Sequence, residues 1–242
     1  MIVGTPAADR SRPEVWVNCA ASIDGRIAYA NGSRARLSSP EDLVRVHRLR
    51  AQVDGIVVGV GTVVKDDPSL AVKWDLVGTP AGRAPARIVV DGSGRIPPAA
   101  RVLDGSIPTI VATSSRAQRS YPSHVRTVRV GDRRQVDLPI LFARLQGLGM
   151  RRLLVEGGAQ ILATVLREGL FDRWTVYYAP VLIGGATAPP MVAGPETPGE
   201  GALVRLELAG MERMGAGYVA TYLPGLTVGP RERSPGEHPP GG

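Results

Sequence analysis

Short runs rich in β-branched residues alternate along this chain with segments that have the periodicity of helices. This alternation constrains the fold more than any other feature, because apolar runs that end in glycine or small polar residues are typical of strands in a parallel sheet. The predicted strands are VWVNCA (15–20), GIVVG (55–59), ARIVVDG (86–92), PTIVATS (108–114), RLLVEGG (152–158) and WTVYYAPVLIG (174–184). The sequence therefore predicts an α/β fold.

Two helices are predicted with clear end signals. The first follows Ser39, which is placed to cap the first turn, and has Pro40 at its first position. The second follows LLVE directly and ends at Gly169. The segment after residue 203, LVRLELAGMERMGAGYVATYL, predicts a closing antiparallel pair that turns near Gly215 and Gly217.

The length of 242 residues and the 43% hydrophobic content allow one large core and leave little room for a second domain. We expect residues 1–13 to form a flexible lead-in, residues 14–223 one domain, and the Pro/Gly-rich residues 224–242 a disordered tail. The first residues lack the apolar core of a secretory signal, and no apolar run reaches the roughly 18 residues of a membrane span. We therefore expect a cytoplasmic protein with no membrane partner.

The formal net charge of +7 raises the question of nucleic-acid binding. The basic residues are scattered and form no block, so we expect no nucleic-acid partner. The excess of arginine over lysine reflects either genome composition or function. As a functional feature it favours an anionic small molecule as ligand, because the guanidinium fork suits phosphate. The single cysteine excludes a disulfide framework, and the three widely separated histidines predict no metal site.

The segment GVGTVVKDDPSL, residues 59–70, is the first candidate for chemistry. Gly59 and Gly61 would let a ligand approach the backbone at the C-terminal edge of a strand, and Thr62 can start a short helix. The dinucleotide fingerprint GxGxxG is incomplete, because Val64 stands where it requires a third glycine. Taken alone, the pattern favours a plainer interpretation, a glycine-rich strand end that an Asp-Pro turn closes.

Two further strand ends carry polar groups. Glu156 precedes Gly157 and Gly158, and a carboxylate at such a position is either a helix cap or a site residue. In residues 18–39, a strand ends in small residues that serve either packing or substrate access, and Asp24 begins an Asp-Gly turn. Three glycine-bearing strand ends in one chain favour a nucleotide cleft over a purely structural domain.

Four segments in consistent order resemble the reductase of riboflavin biosynthesis: AASIDGRIA (20–28), LRAQVDGIVVGVGTVVKDDPSL (49–70), ARIVVDGSGRIP (86–97) and LLVEGGAQILATVLREGLFDRWTVYYAPVLIGG (153–185). That family is related to the C-terminal domain of the bacterial bifunctional deaminase-reductase. The HxE and PCxxC signatures of the deaminase are missing from this sequence, which is therefore similar to the stand-alone archaeal and fungal reductases. The resemblance covers residues 14–223. It implies a dihydrofolate-reductase-like fold, a mixed, mostly parallel sheet flanked by helices, and usually a homodimer.

The resemblance also implies a reaction and a cofactor. The reaction is NADPH-dependent reduction of the ribosyl side chain of a diaminopyrimidinone 5′-phosphate, or of its deaminated form, to the ribityl form. Hydride would be delivered to an open-chain imine at C1′. The implied cofactor-binding residues are Ser22, Arg36, Thr62, Asp66, Gly92, Gly157, Gly158, Ala159, Gln160, Ile161 and Leu162, of which the run from 157 presents amides to phosphate.

The implied substrate-binding residues are Ala20, Arg34, Arg50, Leu70, Lys73 and Glu156. Arg50 is the best candidate for the 5′-phosphate, since a guanidinium binds bidentately and stays charged; a salt-bridged surface helix residue is the alternative. We expect Glu156 to hold the pyrimidine or sugar hydroxyls and to assist proton transfer, with Asp24 as the alternative catalytic residue. Lys73 stands where bacterial relatives can show arginine, so it keeps the positive charge but lacks the bidentate fork. Asn18 stands where the fused enzymes commonly carry lysine, so a role built on that lysine does not transfer.

Two other functions stay open on the sequence. A reductase of another heterocycle, such as a pterin, would share the NADPH half of the site and differ in its substrate. A non-catalytic module would bind the nucleotide without oxidising it. Turnover with the phosphorylated pyrimidine separates both from the reductase of riboflavin biosynthesis.

Overall fold

The computed structural model describes residues 11–131, 135–194 and 197–225. The described strands form one sheet of nine in the order β5-β4-β3-β2-β6-β1-β7-β9-β8. The strands are β1 (Glu14–Ser22), β2 (Gly55–Gly59), β3 (Ala86–Val90), β4 (Thr109–Thr113), β5 (Val125–Arg129), β6 (Arg152–Gly157), β7 (Arg173–Ala179), β8 (Leu206–Met214) and β9 (Gly217–Pro224). β1 to β7 pair in parallel, whereas β9 is antiparallel to both β7 and β8. The predicted mixed, mostly parallel sheet is confirmed.

Five helices accompany the sheet in the described part of the chain: α1 (Pro40–Arg50), α2 (Val60–Asp66), α3 (Trp74–Val77), α4 (Leu138–Gly147) and α5 (Ala159–Arg167). The predicted cap of α1 is confirmed, because the Ser39 side chain accepts a hydrogen bond from the Asp42 amide. α2 begins at Val60, two residues before the predicted start at Thr62. Its cap is Gly59, whose extended backbone leads directly from β2 into the helix.

The sheet has an apolar layer on each face. One layer packs alternate β1 residues such as Val15 and Val17 with α4 and α5. The other packs Trp16, Ile56 and Val58 with residues of α2 and its following loop. Because the central strands are buried on both faces, they are apolar throughout, which is why the sequence identified them.

β5 and α4 were not predicted. β5 is the outermost strand on one side of the sheet, and its Arg126, Thr127 and Arg129 are exposed, so the strand has no continuous apolar run. α4 starts at an Asp137 cap with a proline in its first turn, a signal that the sequence interpretation passed over. The predicted lead-in and tail lie mostly outside the described residues. No helix that the structure describes is long and apolar enough to cross a membrane.

Arg87 of β3 is 1% exposed and fastens two loops to the edge of the sheet where β3 begins. It donates to the carbonyl oxygens of Ser69 and Arg101 and forms a 2.7 Å ion pair with Asp104. Hydrogen bonds from Arg87 and then Ser106 hold the pKa of Asp104 well below its usual range. A residue of β3 thus fixes the loop that follows α2.

Arg87→Met should lower the free energy of unfolding by about 3 kcal/mol, because it removes the donor to two partly buried carbonyl oxygens and the ion-pair partner of Asp104. Urea titration measures this loss, with an unchanged slope showing that the fold is kept. The matched control is Arg83→Met, an exposed arginine, which should change the value by less than about 0.5 kcal/mol. Equal effects of the two substitutions would contradict the anchoring role of Arg87.

Candidate active site

The parallel pairing brings the predicted site residues to one edge of the sheet. Gly59 lies beside Val90 at the C-terminal ends of β2 and β3, and Val58 lies beside Gly157 of β6. Ser22 ends the neighbouring strand β1 at the same edge. Ligands of open α/β sheets bind at this edge, where the loops leave the strands.

Glycines form an opening between α2 and α5. A Cβ atom on Gly59 would lie 3.0 Å from Ile161 Cδ1, and one on Gly158 would lie 3.3 Å from Thr62 Oγ1, so the two helix starts touch. A Cβ atom on Gly61 or Gly157 would meet nothing within 4 Å. The Gly157–Gly158 peptide bond is cis. Gly61 is exposed, and the missing side chain of the buried Gly157 leaves open space beside it, so there is room for a ligand next to the backbone on both sides.

The first turn of α5 offers fewer amide donors than the sequence implied. Ile161 and Leu162 are buried, and their amides donate to Gly158 O over 2.9 and 3.1 Å. Within the described residues, the amides of Ala159 and Gln160 have no backbone or side-chain acceptor. These two amides at the positive end of the helix are the donors left for an anion, and Ile161 and Leu162 shape the opening by packing.

Arg50 and Glu156, which the sequence treated as separate substrate groups, form one bidentate ion pair. Arg50 Nε and Nη2 donate to the two Glu156 carboxylate oxygens over 2.7 Å each, with side-chain exposures of 14% and 12%. Arg50 Nη1 also donates to Ala71 O over 3.0 Å. Burial opposes the charge of Arg50, but the Glu156 carboxylate outweighs it and raises the pKa of Arg50. Three of the five guanidinium N–H groups are used, and two remain for a substrate phosphate.

Asp24 links the turn after β1 to the segment that follows β7. Its carboxylate accepts from the Ser22 hydroxyl over 2.6 Å and from the amides of Ile183 and Gly184 over 3.1 and 2.8 Å. The Ser22 hydroxyl, followed by these amides, lowers the pKa of Asp24 to about 2. Asp24 is thus ionised at neutral pH, and its carboxylate and the Ser22 hydroxyl are both committed to the turn that they hold together. Of the two predicted catalytic carboxylates, the geometry favours Glu156.

Two further substrate-binding candidates, Leu70 and Lys73, follow α2, and Lys73 contacts α1. Leu70 is 2% exposed with a positive φ of 52°, and the exposed Lys73 donates its amide to His47 Nδ1 over 3.2 Å. His47 was not singled out by the sequence interpretation, although it lies three residues before Arg50 on the same helix face. That spacing is the signal that could have identified it.

The polar loop after β1 is exposed at both Arg34 and Arg36, and Asp66 at the end of α2 is exposed as well. A Cβ atom on Gly32 would lie 3.5 Å from Lys65 Nζ, so this loop rests against α2. Gly92 follows β3 at the same edge and accepts from the Ser114 hydroxyl over 2.7 Å. In the part of the chain that the structure describes, these residues form no ion pairs with one another.

Asn18 and Ala20 lie on β1 and face α1. Asn18 Oδ1 accepts from Arg45 Nη2 over 2.7 Å and from Thr175 Oγ1 over 3.1 Å, so a neighbouring strand and a helix fix its amide. Ala20 is half-buried against Leu37 and the β7–β9 cluster. Arg45 was not predicted, because nothing in the sequence reports a contact across 27 positions.

A cavity of about 420 Å³ lies at the opposite edge of the sheet. It is lined by residues 51–54, which precede β2, and by Trp74, Thr79, Pro80 and residues 82–84, which precede β3. It contains none of the predicted site residues. Among residues 11–131, 135–194 and 197–225, no cluster of His, Cys, Asp and Glu could hold a metal ion.

Known proteins match nearly the whole described domain. The family model of the RibD C-terminal domain matches residues 13–220. The 2,5-diamino-6-ribosylamino-4(3H)-pyrimidinone 5′-phosphate reductase of Methanothermobacter thermautotrophicus is 39% identical over 214 residues, which cover 87% of this chain and 98% of that protein. The protein of the same name from Archaeoglobus fulgidus is 37% identical and covers 87% of this chain and 97% of its own length.

Solved structures agree with the fold. RibD of Acinetobacter baumannii superposes with a TM-score of 0.74 at 24% identity and covers 89% of this chain, which spans 58% of that protein. The riboflavin biosynthesis reductase of Saccharomyces cerevisiae superposes with a TM-score of 0.71 at 23% identity, covering 89% of this chain and 91% of the yeast protein. The predicted resemblance is confirmed: this chain belongs to the RibD C-terminal domain family.

Proposed function

We propose that this chain is an NADPH-dependent reductase that converts the ribosyl side chain of 2,5-diamino-6-ribosylamino-4(3H)-pyrimidinone 5′-phosphate, or of its deaminated form, to the ribityl form. The observation that carries the proposal is the convergence of a glycine-lined opening with the buried Arg50–Glu156 pair at one sheet edge. The archaeal relatives matched over almost their whole length bear the name of this reductase.

The opening fits a dinucleotide cofactor. Gly61 and Gly157 leave room for a ligand against the backbone, and the amides of Ala159 and Gln160 are available to a phosphate group. Bound NADPH would supply the hydride, since no side chain of the protein can. Thr62 lies against Gly158 at this opening, which supports its proposed place beside the cofactor. Asp66 at the end of α2 and Gly92 after β3 stay predictions for the cofactor site.

The protein's own residues would bind and orient the substrate. Arg50 holds both oxygens of Glu156, and each oxygen keeps a lone pair that can accept from a ribose hydroxyl or a pyrimidine N–H group. The two unused N–H groups of Arg50 and the exposed ammonium of Lys73 supply positive charge for the 5′-phosphate. Holding donor and acceptor in one geometry is the main catalytic contribution that this site can make.

The proposed activity predicts NADPH oxidation that depends on the phosphorylated ribosylaminopyrimidine. The loss of NADPH absorbance should be measured with the diamino and the deaminated substrate, beside an NADH control and beside dihydrofolate. Turnover with one pyrimidine form supports the proposal and shows the preferred substrate. NADPH binding without turnover of any pyrimidine would favour a reductase of another heterocycle or a non-catalytic module.

Glu156→Gln should lower kcat by about 10²-fold or more, because it removes the carboxylate that orients the substrate and relays a proton. The dissociation constant of NADPH, measured by fluorescence titration, should change by less than about threefold, a change of well under 1 kcal/mol in binding. Glu168→Gln, an exposed position at the end of α5, is the matched control and should preserve both values. Equal losses of kcat and NADPH affinity in Glu156→Gln would contradict the substrate role.

We further propose that the protein is a homodimer formed through the β8–β9 hairpin. β8 ends the sheet, and a bulge between Leu208 and Gly210 places Leu206, Leu208 and Met211 on one face opposite alternate residues of β9. These three side chains are 38%, 56% and 67% exposed. The same face continues the apolar layer that α4 and α5 cover elsewhere, so a second copy is the occupant that fits it.

Met211→Glu should shift the protein from dimer to monomer, because it places a charge in the centre of the proposed contact. Sedimentation velocity measures the mass of each form. Ile140→Glu, which adds the same charge at an exposed position of α4, is the control and should stay dimeric. A monomeric wild type, or a Met211→Glu variant that remains dimeric, would refute this interface.

A further inference from the structure

Residues 69–73, between α2 and α3, form a segment that basic side chains hold at every second residue. The three contacts are Arg87 Nε to Ser69 O (2.8 Å), Arg50 Nη1 to Ala71 O (3.0 Å) and Lys73 N to His47 Nδ1 (3.2 Å). The residues between these anchors, Leu70 and Val72, are buried at 2% and 8% exposure. The backbone of the segment is therefore fixed, while the side chain of Lys73 at its end is exposed.

His47 differs from the two arginines because it accepts its hydrogen bond. An imidazole nitrogen accepts only when it carries no proton, so the Lys73 amide requires neutral His47 with its proton on Nε2. His47 is 7% exposed, and it lies on α1, the helix that also carries Arg50. The contact thus joins residues 69–73 to α1, whose Arg50 pairs with Glu156.

We infer that His47 is a positioning residue, which holds the Lys73 backbone so that the Lys73 ammonium faces the phosphate of the substrate. This inference rests on the proposed function, in which Lys73 binds that phosphate. His47 itself touches neither substrate nor cofactor in this account. Its effect should therefore fall on substrate binding and spare the hydride transfer step.

The charges around His47 predict how the contact depends on pH. Burial, followed by the cations Arg50 and Lys73, lowers the pKa of His47, while Glu156 and Asp75 act in the opposite direction. As the pH falls below about 6.5, the unfolded chain takes up the proton first, so folding stability decreases. The hydrogen bond to Lys73 is lost when the pH falls further, through the lowered pKa of the folded protein.

Two variants of His47 test the inference by steady-state kinetics. His47→Ala should raise KM for the phosphorylated substrate about tenfold, the value of one hydrogen bond, with kcat and NADPH affinity changed less than about twofold. His47→Asn, whose side-chain oxygen can replace Nδ1 as acceptor, should restore KM. This variant should also lose the additional rise in KM that the wild type shows when the pH falls through the lowered pKa of His47. His124→Ala, an exposed histidine bonded to Leu103 O, is the matched control and should leave KM unchanged.

A second readout does not depend on turnover. ¹⁵N NMR of the wild type should show an unprotonated Nδ1 on His47 and a Lys73 amide protected from exchange, and the Lys73 amide should lose its protection in His47→Ala. An unchanged KM in His47→Ala, or a His47→Asn variant no better than His47→Ala, overturns the positioning role. A wild type that shows the NMR contact but turns over no pyrimidine contradicts the proposed function, whereas a missing NMR contact contradicts the inference alone.

Discussion

The parallel pairing of β1 to β7 is the constraint on which the rest of this structure depends. Parallel strands need crossover connections, so each strand begins at one edge of the sheet and ends at the other. Ser22, Gly59, Gly92 and Gly157 come from distant parts of the sequence, yet all lie at or just after strand ends along one edge. The opening between α2 and α5 and the polar groups around it follow directly from this topology.

The Arg50–Glu156 pair joins three elements at that edge. It links α1 to β6, and through Ala71 it also links the segment after α2. Loss of one partner of a buried pair costs about 3 to 5 kcal/mol, because the other charge is left without compensation. Both residues therefore serve the fold and the proposed chemistry together, and substitutions must be interpreted through stability as well as kinetics.

The sequence predicted the central strands and the capped helix α1, and it missed features that depend on contacts between distant residues; α4 was missed although its Asp137 cap and proline are visible in the sequence. All six predicted strands exist, since central strands buried on both faces are uniformly apolar, whereas β5 was missed because its Arg126 and Arg129 are exposed at an edge. Arg50 and Glu156 were identified as candidates, but they lie 106 positions apart, and only the fold reveals their pairing. The roles of His47 and Arg87 were missed for the same reason.

The central claim is that the cofactor binds at the C-terminal edge of the parallel strands. Backbone amide NMR, recorded with and without NADPH, tests this claim directly, because the two edges of the sheet carry separate sets of reporters. We expect the largest shifts at residues 59–62, at Gly92 and at residues 157–160. Shifts confined to residues 51–54, Thr79 and residues 82–84, which line the cavity at the opposite edge, would contradict the account.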